Sequence, residues 1–339
     1  MKIEILCGSG SPDGVHLSDI QGESGRVGVG GSEYALLTMC EWWAKEGHEV
    51  VLYNNPTRQD GIFEQRLVNT FDTTGKRDIL IIFREPSAKI VRATGKKIFW
   101  SCDQYTTGDF SHFSQFVDQV VTISPFHTKY FKENYGIDAT DIDLPVRTWE
   151  YDNDFEKVKN RLIFTSVPDR GLDIVAKTFQ HIIKRIPDAS LVITSDYRLW
   201  GSTSPGNAQF VTRFLQSPSV EYLGAVPRKR LLEVQQQAQI QYYQFGGQTE
   251  ELFCLAVAES QVAGVLPITS SDGALETTNM GVIIEASAKD QRNYPAYIDK
   301  VVEYLQKPGL EDYQRELSAK ARKRFGISRI LKEWDEKVF

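Results

Sequence analysis

The sequence is poor in the residues that build metal centres, disulfide scaffolds and membrane spans. Its four cysteines, Cys7, Cys40, Cys102 and Cys254, are scattered, and no pair has redox or metal spacing. That pattern reads as reduced thiols in a cytoplasmic protein. The five histidines, His16, His48, His112, His127 and His181, form no triad and no metal spacing, so a structural role is expected for each. No stretch of about 18 apolar residues exists, so no membrane-spanning helix is expected. The opening "MKIEILCGSG" enters a strand-like run without the apolar core of a signal peptide. There is no repeat at a fixed period, no low-complexity tract and no G-x-G-x-x-G dinucleotide fingerprint. A net charge of −6 argues against a protein devoted to nucleic acid or to an anionic membrane surface. Two small basic clusters, "GKK" (95–97) and "RKR" (228–230), read as solvated faces.

What is present is a chain of 339 residues, 41% apolar and 25% charged, which suits two soluble domains of roughly 150 residues each. Short apolar runs alternate with amphipathic ones. In the first half "KIEILCG", "HEVVLYN", "RDILIIF", "KKIFWSC" and "VDQVVTIS" read as strands. Leu36, Cys40 and Trp43 fall at helical spacing in 32–47, with Ser32 as the expected cap and Gly47 as the stop. Residues 125–136 have Pro at the start of a helix and Gly at its end. The polar stretch 148–160 marks a boundary, after which the same rhythm restarts with "RLIFTSV". Strands separated by helices of about 10–15 residues imply parallel sheets. The expected fold class is therefore α/β, with two doubly wound, Rossmann-like domains facing across a cleft. The first would span 1–150 and the second 151–325, with a last helix in 326–339 packing back toward the first.

In open α/β folds ligands bind at the carboxyl ends of the strands, so the loops there carry the functional reading. "RVGVGGSEYAL" (26–36) places Gly28, Gly30 and Gly31 before a helix. Glycines admit close backbone approach and a helix start favours anions, although a flexible turn needs the same residues. In "FTSVPDRGLDIV" (164–175) Asp169 is a candidate cap and Arg170 sits at the helix start. A cation there suits an intervening anion such as a phosphate; a solvated surface arginine is the alternative. "EELFCLAVAE" (250–259) opens an expected helix over 252–263 whose apolar residues cover nearly every side. Glu259 shares a face with Leu255 and Val262, and a buried carboxylate needs a donor. Ribose hydroxyls or an arginine of the protein would serve. Glu251 and Glu250 lie at the helix start, where negative charge is favourable in itself. "SSDGALETTNMG" (270–281), with Gly273 and Glu276, is by itself a turn.

Together these segments resemble the retaining glycosyltransferases of family 4 (glycosyl transferases group 1), which have the GT-B fold. The resemblance rests on Glu251, Phe253, Glu259, Gly264, Pro267, Thr269, Gly273 and Glu276 in order and spacing, and on Arg170–Gly171 where a Lys-Gly pair is usual. "VGGSEYAL" and "VVTISPFHTKYFKENYGI" are similar to the family's first-domain segments. The resemblance implies that Glu251 contacts donor-sugar hydroxyls and Glu259 the ribose. The amides of Phe253, Cys254 and Leu255 would face a diphosphate that Arg170 neutralises, and the Gly30–Gly31 loop would close from the other domain. Gly273 belongs to the same binding set. The implied reaction moves a sugar from a nucleotide-sugar to an acceptor with retention, needing no cofactor and no metal. The acceptor is open: a glycan, a lipid-linked sugar, a protein or a modified nucleic-acid base, without stable membrane insertion.

Three positions depart from the family. Cys254 replaces a usual Gly. Thr165 replaces a second phosphate-binding Arg, for which Arg198 and Arg228 are candidate substitutes. Asp103 and Gln104 stand near a strand end where a His is common, close to the sugar or acceptor or else as loop caps. Two other readings compete. A nucleotide-sugar hydrolase or epimerase would need an acid or base, for which Asp103 is the candidate. A non-catalytic nucleotide-sugar binder would fit the loss at Thr165.

Overall fold

The strands form where β-branched and aromatic residues run together between turns. In the computed structural model, which describes residues 1–8, 12–102, 110–152, 155–200 and 212–339, they assemble into two separate parallel sheets. One unit comprises Met1–Ser24, Val29–Pro145 and Ile327–Phe339, the other Gly25–Gly28 and Val146–Gly326.

The first unit holds strands β1 (Lys2–Cys7), β2 (Glu49–Tyr53), β3 (Glu64–Arg66), β4 (Ile79–Phe83), β5 (Lys96–Trp100), β6 (Gln119–Thr122) and β7 (Thr140–Asp141), in the order β3-β2-β1-β4-β5-β6-β7. β4 is buried at every residue, which explains why "ILIIF" is continuously apolar rather than alternating: both faces are covered. Its helices are α1 (Leu17–Gln21), α2 (Gly31–Lys45), α3 (Phe110–Ser114) and α4 (Pro125–Tyr135). Gly136, at φ 67, closes α4 in the left-handed cap that its sequence predicts. β3 and β7 are short, polar edge strands, and α1 lies inside the segment between β1 and α2.

The second unit holds β8 (Arg161–Phe164), β9 (Ser190–Ile193), β10 (Val220–Tyr222), β11 (Ile240–Tyr243), β12 (Leu266–Ser270) and β13 (Val282–Ile284), ordered β10-β9-β8-β11-β12-β13. α5 (Leu172–Arg185), α6 (Thr212–Leu215), α7 (Arg228–Gln237), α8 (Leu255–Val262), α9 (Leu275–Thr278), α10 (Tyr294–Leu305) and α11 (Leu310–Phe325) connect and follow them. Its core gathers Phe164, Phe179, Leu191, Tyr242, Val257, Ile268 and Tyr297. The final helix, α12 (Ile327–Lys337), belongs to the first unit. Trp334 there packs edge-on to Trp43 at 5.1 Å and Trp100 at 5.2 Å.

Three helix starts differ from expectation. α2 begins one residue before Ser32, because Tyr34 N–H bonds the Gly30 carbonyl at 3.0 Å and makes Gly30 the cap. A tight turn over Pro168–Arg170 precedes α5, whose cap is Gly171 at φ 120, so Asp169 caps nothing. α8 starts at Leu255 rather than 252 because Cys254 takes a left-handed conformation, φ 72 and ψ 75.

Candidate functional site

All strands of a parallel sheet end on one side, and in the second unit that side gathers polar groups. Thr194, Ser195, Gln244, Ser270 and Asp272 directly follow or end β9, β11 and β12. Thr194 Oγ1, Ser195 Oγ, Gln244 Oε1, Ser270 Oγ and Asp272 Oδ2 are buried and have no hydrogen-bond partner among the described residues. Such atoms occur elsewhere in the chain, but here they share one edge. Buried polar atoms are rarely left unpaired, so a concentration at the strand ends is the mark of a place built for a polar ligand.

Glu251 stands at this edge. The Tyr243 hydroxyl at the end of β11 donates to Glu251 Oε2 at 2.8 Å, and Arg170 Nη1 lies 3.7 Å from the same oxygen. The backbone is fixed as firmly. Ala274 N–H donates to the Glu251 carbonyl at 2.8 Å. Gly273, at φ 60, comes so near that a Cβ would lie 2.4 Å from that carbonyl oxygen. Only glycine fits there without shifting Glu251. Arg170 is held by the same device: a Cβ on Gly171 would lie 1.9 Å from the Gln244 carbonyl, so glycine lets this turn abut the end of β11.

Two cations flank one aromatic ring. Arg170 Cζ is 5.5 Å and Lys289 Nζ 5.4 Å from the Phe245 ring centre, within cation–π range. Lys289 Nζ also lies 3.6 Å from Glu250 Oε1. Burial pulls the Arg170 guanidinium down, but Glu251 and then Tyr243 outweigh it and hold it above its ordinary value. Burial pushes the Tyr243 phenol and the Cys254 thiol well up, so both stay protonated at neutral pH. At the start of α8 the Val257 N–H bonds the Cys254 carbonyl at 3.1 Å, which leaves the Leu255 and Ala256 amides without an acceptor within the helix and suited to an anion. Cys254 immediately precedes them. The Phe253 ring packs edge-on to Phe325 at 5.8 Å, so its side chain is core and only its backbone is available.

Glu259, on α8, has a side chain only 9% exposed. Of the two donors its burial calls for, the arginine is present: Arg228 Nη1 lies 2.6 Å from Glu259 Oε1. The pair is ionic by distance but not aligned as a hydrogen bond, and Oε1 has no hydrogen-bond partner among the described residues. Arg228 also donates from Nε to Glu150 Oε2 at 2.9 Å and from Nη2 to the Tyr151 hydroxyl at 3.3 Å. Arg147 Nε reaches Glu150 Oε1 at 2.6 Å. The result is a buried chain of alternating charge, Arg147–Glu150–Arg228–Glu259. The "RKR" run is thus not wholly a solvated face: Lys229 is exposed, but Arg228 is 8% exposed.

The structure therefore gathers Arg170, Glu251, Gly273 and the Phe253–Leu255 helix start in one unit, with Glu259 further along α8. Thr165, which stands where the resemblance would place a second phosphate-binding Arg, is buried with its hydroxyl on Gln241 Oε1 at 3.4 Å. Arg198 is bound to Asp196, with Nε to Oδ2 at 2.9 Å, and Arg228 is bound as described. Lys289 is the cation that sequence reasoning missed; a lone lysine in a loop gives no signal until the fold brings it to Phe245. Gly30 and Gly31 start α2 in the first unit, where Glu33 is buried with Arg84 Nη1 at 3.2 Å. Asp103 and Gln104 lie outside the described residues. Among the described residues no group of three or more His, Cys, Asp or Glu is gathered to hold a metal, and no helix is long and apolar enough to cross a membrane.

No family model and no curated protein sequence matches the chain. Solved structures do. Sucrose-phosphate synthase from Thermosynechococcus elongatus is similar over 99% of this chain and 98% of its own, with a TM-score of 0.72 and 12% identity. A glycosyltransferase from Rickettsia africae is similar over 99% and 96%, with a TM-score of 0.71 and 14% identity. HepE of Anabaena, solved in complex with UDP-glucose, is similar over 100% and 99%, with a TM-score of 0.69 and 14% identity. At such identities the likeness establishes architecture: two parallel-sheet α/β units in the GT-B fold.

Proposed function

We propose that the chain is a retaining glycosyltransferase that moves a sugar from a nucleotide-sugar to an acceptor without a metal ion. The observation that carries this reading is the fixed carboxylate of Glu251 beside Arg170 and the start of α8, at the carboxyl edge of the sheet. In this reading Arg170 and the first-turn amides hold the diphosphate as it departs and stabilise its growing charge. Lys289 supplies a second cation. Glu251 accepts hydrogen bonds from the donor sugar, and Glu259, beside Arg228, accepts from the ribose. The same reading gives Gly30 and Gly31 a part in holding the donor and Asp103 a part in catalysis. The acceptor is a glycan, a lipid-linked sugar, a protein or a modified nucleic-acid base. HepE was solved with UDP-glucose, which makes that compound the first donor to try.

The test is a thermal-shift panel of nucleotide-sugars, followed by incubation of the best with candidate acceptors and mass analysis, with and without a chelator. Glycosylated acceptor with the anomeric configuration kept, unaffected by chelation, is the expected result. Free sugar or an epimer would replace transfer by hydrolysis or epimerisation, and activity lost to the chelator and restored by Mg²⁺ would refute the metal-free step.

A further inference from the structure

Glu251 is more constrained than a helix-end carboxylate has reason to be. α8 begins four residues after it and has no acidic residue in its first turn, so helix-end electrostatics do not account for it. Its neighbour Glu250 shows what an unconstrained carboxylate looks like here: 46% exposed, with only a loose approach to Lys289. Glu251 is 14% exposed, and both its backbone and one of its carboxylate oxygens are fixed.

The fixing group is Tyr243. It is 1% exposed, and its ring stacks on Phe164 with centroids 5.9 Å apart and planes 13° from parallel. Phenylalanine would fill that place equally well. The hydroxyl therefore adds nothing to packing, and burying it costs free energy unless it finds an acceptor. Its acceptor is Glu251 Oε2 at 2.8 Å, the same oxygen that Arg170 approaches. Among the described residues Oε1 has no hydrogen-bond partner. One oxygen is thus committed inside the protein and the other is presented outward. Without the hydroxyl nothing would stop the carboxylate from turning both oxygens toward Arg170, where bidentate pairing is favourable. Because burial holds the phenol well above its ordinary value, it remains a donor across the working pH range.

We propose that Tyr243 is a positioning residue: its hydroxyl holds Glu251 Oε2 so that Oε1 is aimed at one hydroxyl of the donor sugar. This rests on the nucleotide-sugar reading of the site and deepens it. A group fixed by a buried neighbour selects among sugars by where it points, which a merely structural tyrosine would not do.

Tyr243→Phe tests it by calorimetry. UDP-, dTDP-, ADP- and GDP-glucose are each measured with the matching diphosphate, and the tightest pair is carried forward. The ratio of the sugar-nucleotide Kd to the diphosphate Kd should rise about ten- to a hundredfold in Tyr243→Phe, the usual worth of a hydrogen bond to a charged group. The diphosphate alone should bind within about twofold of wild type. Glu251→Gln should raise the same ratio, and Tyr243→Phe added to it should raise it little further. Should Tyr243→Phe fail to fold, Glu251→Gln carries the test, since an unchanged ratio there overturns the inference. An unchanged ratio in a folded Tyr243→Phe, or an equal loss for sugar nucleotide and diphosphate, also overturns it while leaving the nucleotide-sugar reading standing. A wild-type chain that binds none of the compounds overturns both.

Discussion

Arg228→Met removes the centre of the buried chain Arg147–Glu150–Arg228–Glu259 and keeps most of the aliphatic stem. Glu150 retains Arg147 at 2.6 Å. Glu259 retains nothing comparable, since among the described residues Arg228 is its only cation within 4 Å. The two side chains are 8% and 9% exposed, so the figure for buried pairs applies rather than the small one for surface pairs. Removing one partner of such a pair costs about 3–5 kcal/mol, because the other charge is stranded. That is a large share of the total stability of about 5–15 kcal/mol usual for a domain. Adding Glu259→Gln neutralises the stranded charge, and the double variant should sit within about 1–2 kcal/mol of wild type. Urea unfolding followed by far-ultraviolet circular dichroism reads both values. A loss below about 1 kcal/mol in Arg228→Met, or a double variant less stable than the single, would refute the reasoning.

Two further outcomes follow from the geometry. Burial pushes His127 down to about 3, while an unfolded histidine titrates near about 6.5, so only the unfolded chain takes up the proton between these values. Stability from this group is therefore full above about pH 7 and falls by about 2 kcal/mol on going to about pH 5. His127→Gln should lose that part of the acid slope in urea titrations, and an identical slope in the variant would refute it. Gly273→Ala should lose at least about 1 kcal/mol for the left-handed backbone alone, and more because its Cβ would meet the Glu251 carbonyl at 2.4 Å. Urea midpoints measure this; a Gly273→Ala chain as stable as wild type would show that the two segments do not abut.

The architecture was legible because burial on both faces of a parallel strand leaves an apolar run, as in "ILIIF", and because Gly136 marks its helix end plainly. β3 and β7 were not, since short polar edges have neither run nor alternation. The start of α8 was misread because a cysteine at φ 72 has no sequence signature; a glycine there would have shown the break. At the site Glu251, Gly273 and Arg170 were visible through local spacing. Their partners were not. Tyr243 looks like any strand aromatic and Arg228 like one of a solvated basic run. Arg228 meets Glu259 only because α7 and α8 are brought together by the sheet, and periodicity carries no information over that separation.

α12 has a consequence for how the molecule comes into being. Val338 accepts from Lys96 Nζ, 242 residues earlier in the chain, and Lys337 accepts from Gln119 Nε2 at 2.9 Å. Residues 146–326, which all belong to the second unit, must emerge from the ribosome before those acceptors exist. The unit that is started first is therefore finished last. For that interval β5 and β6 lack their final hydrogen bonds, and Trp43 and Trp100 lack Trp334. Waiting apolar surface of this kind is what chaperones guard. Residues 337 and 338 thus act as the closing latch of a unit whose first strand begins at Lys2, and long sequence separation of this sort slows folding.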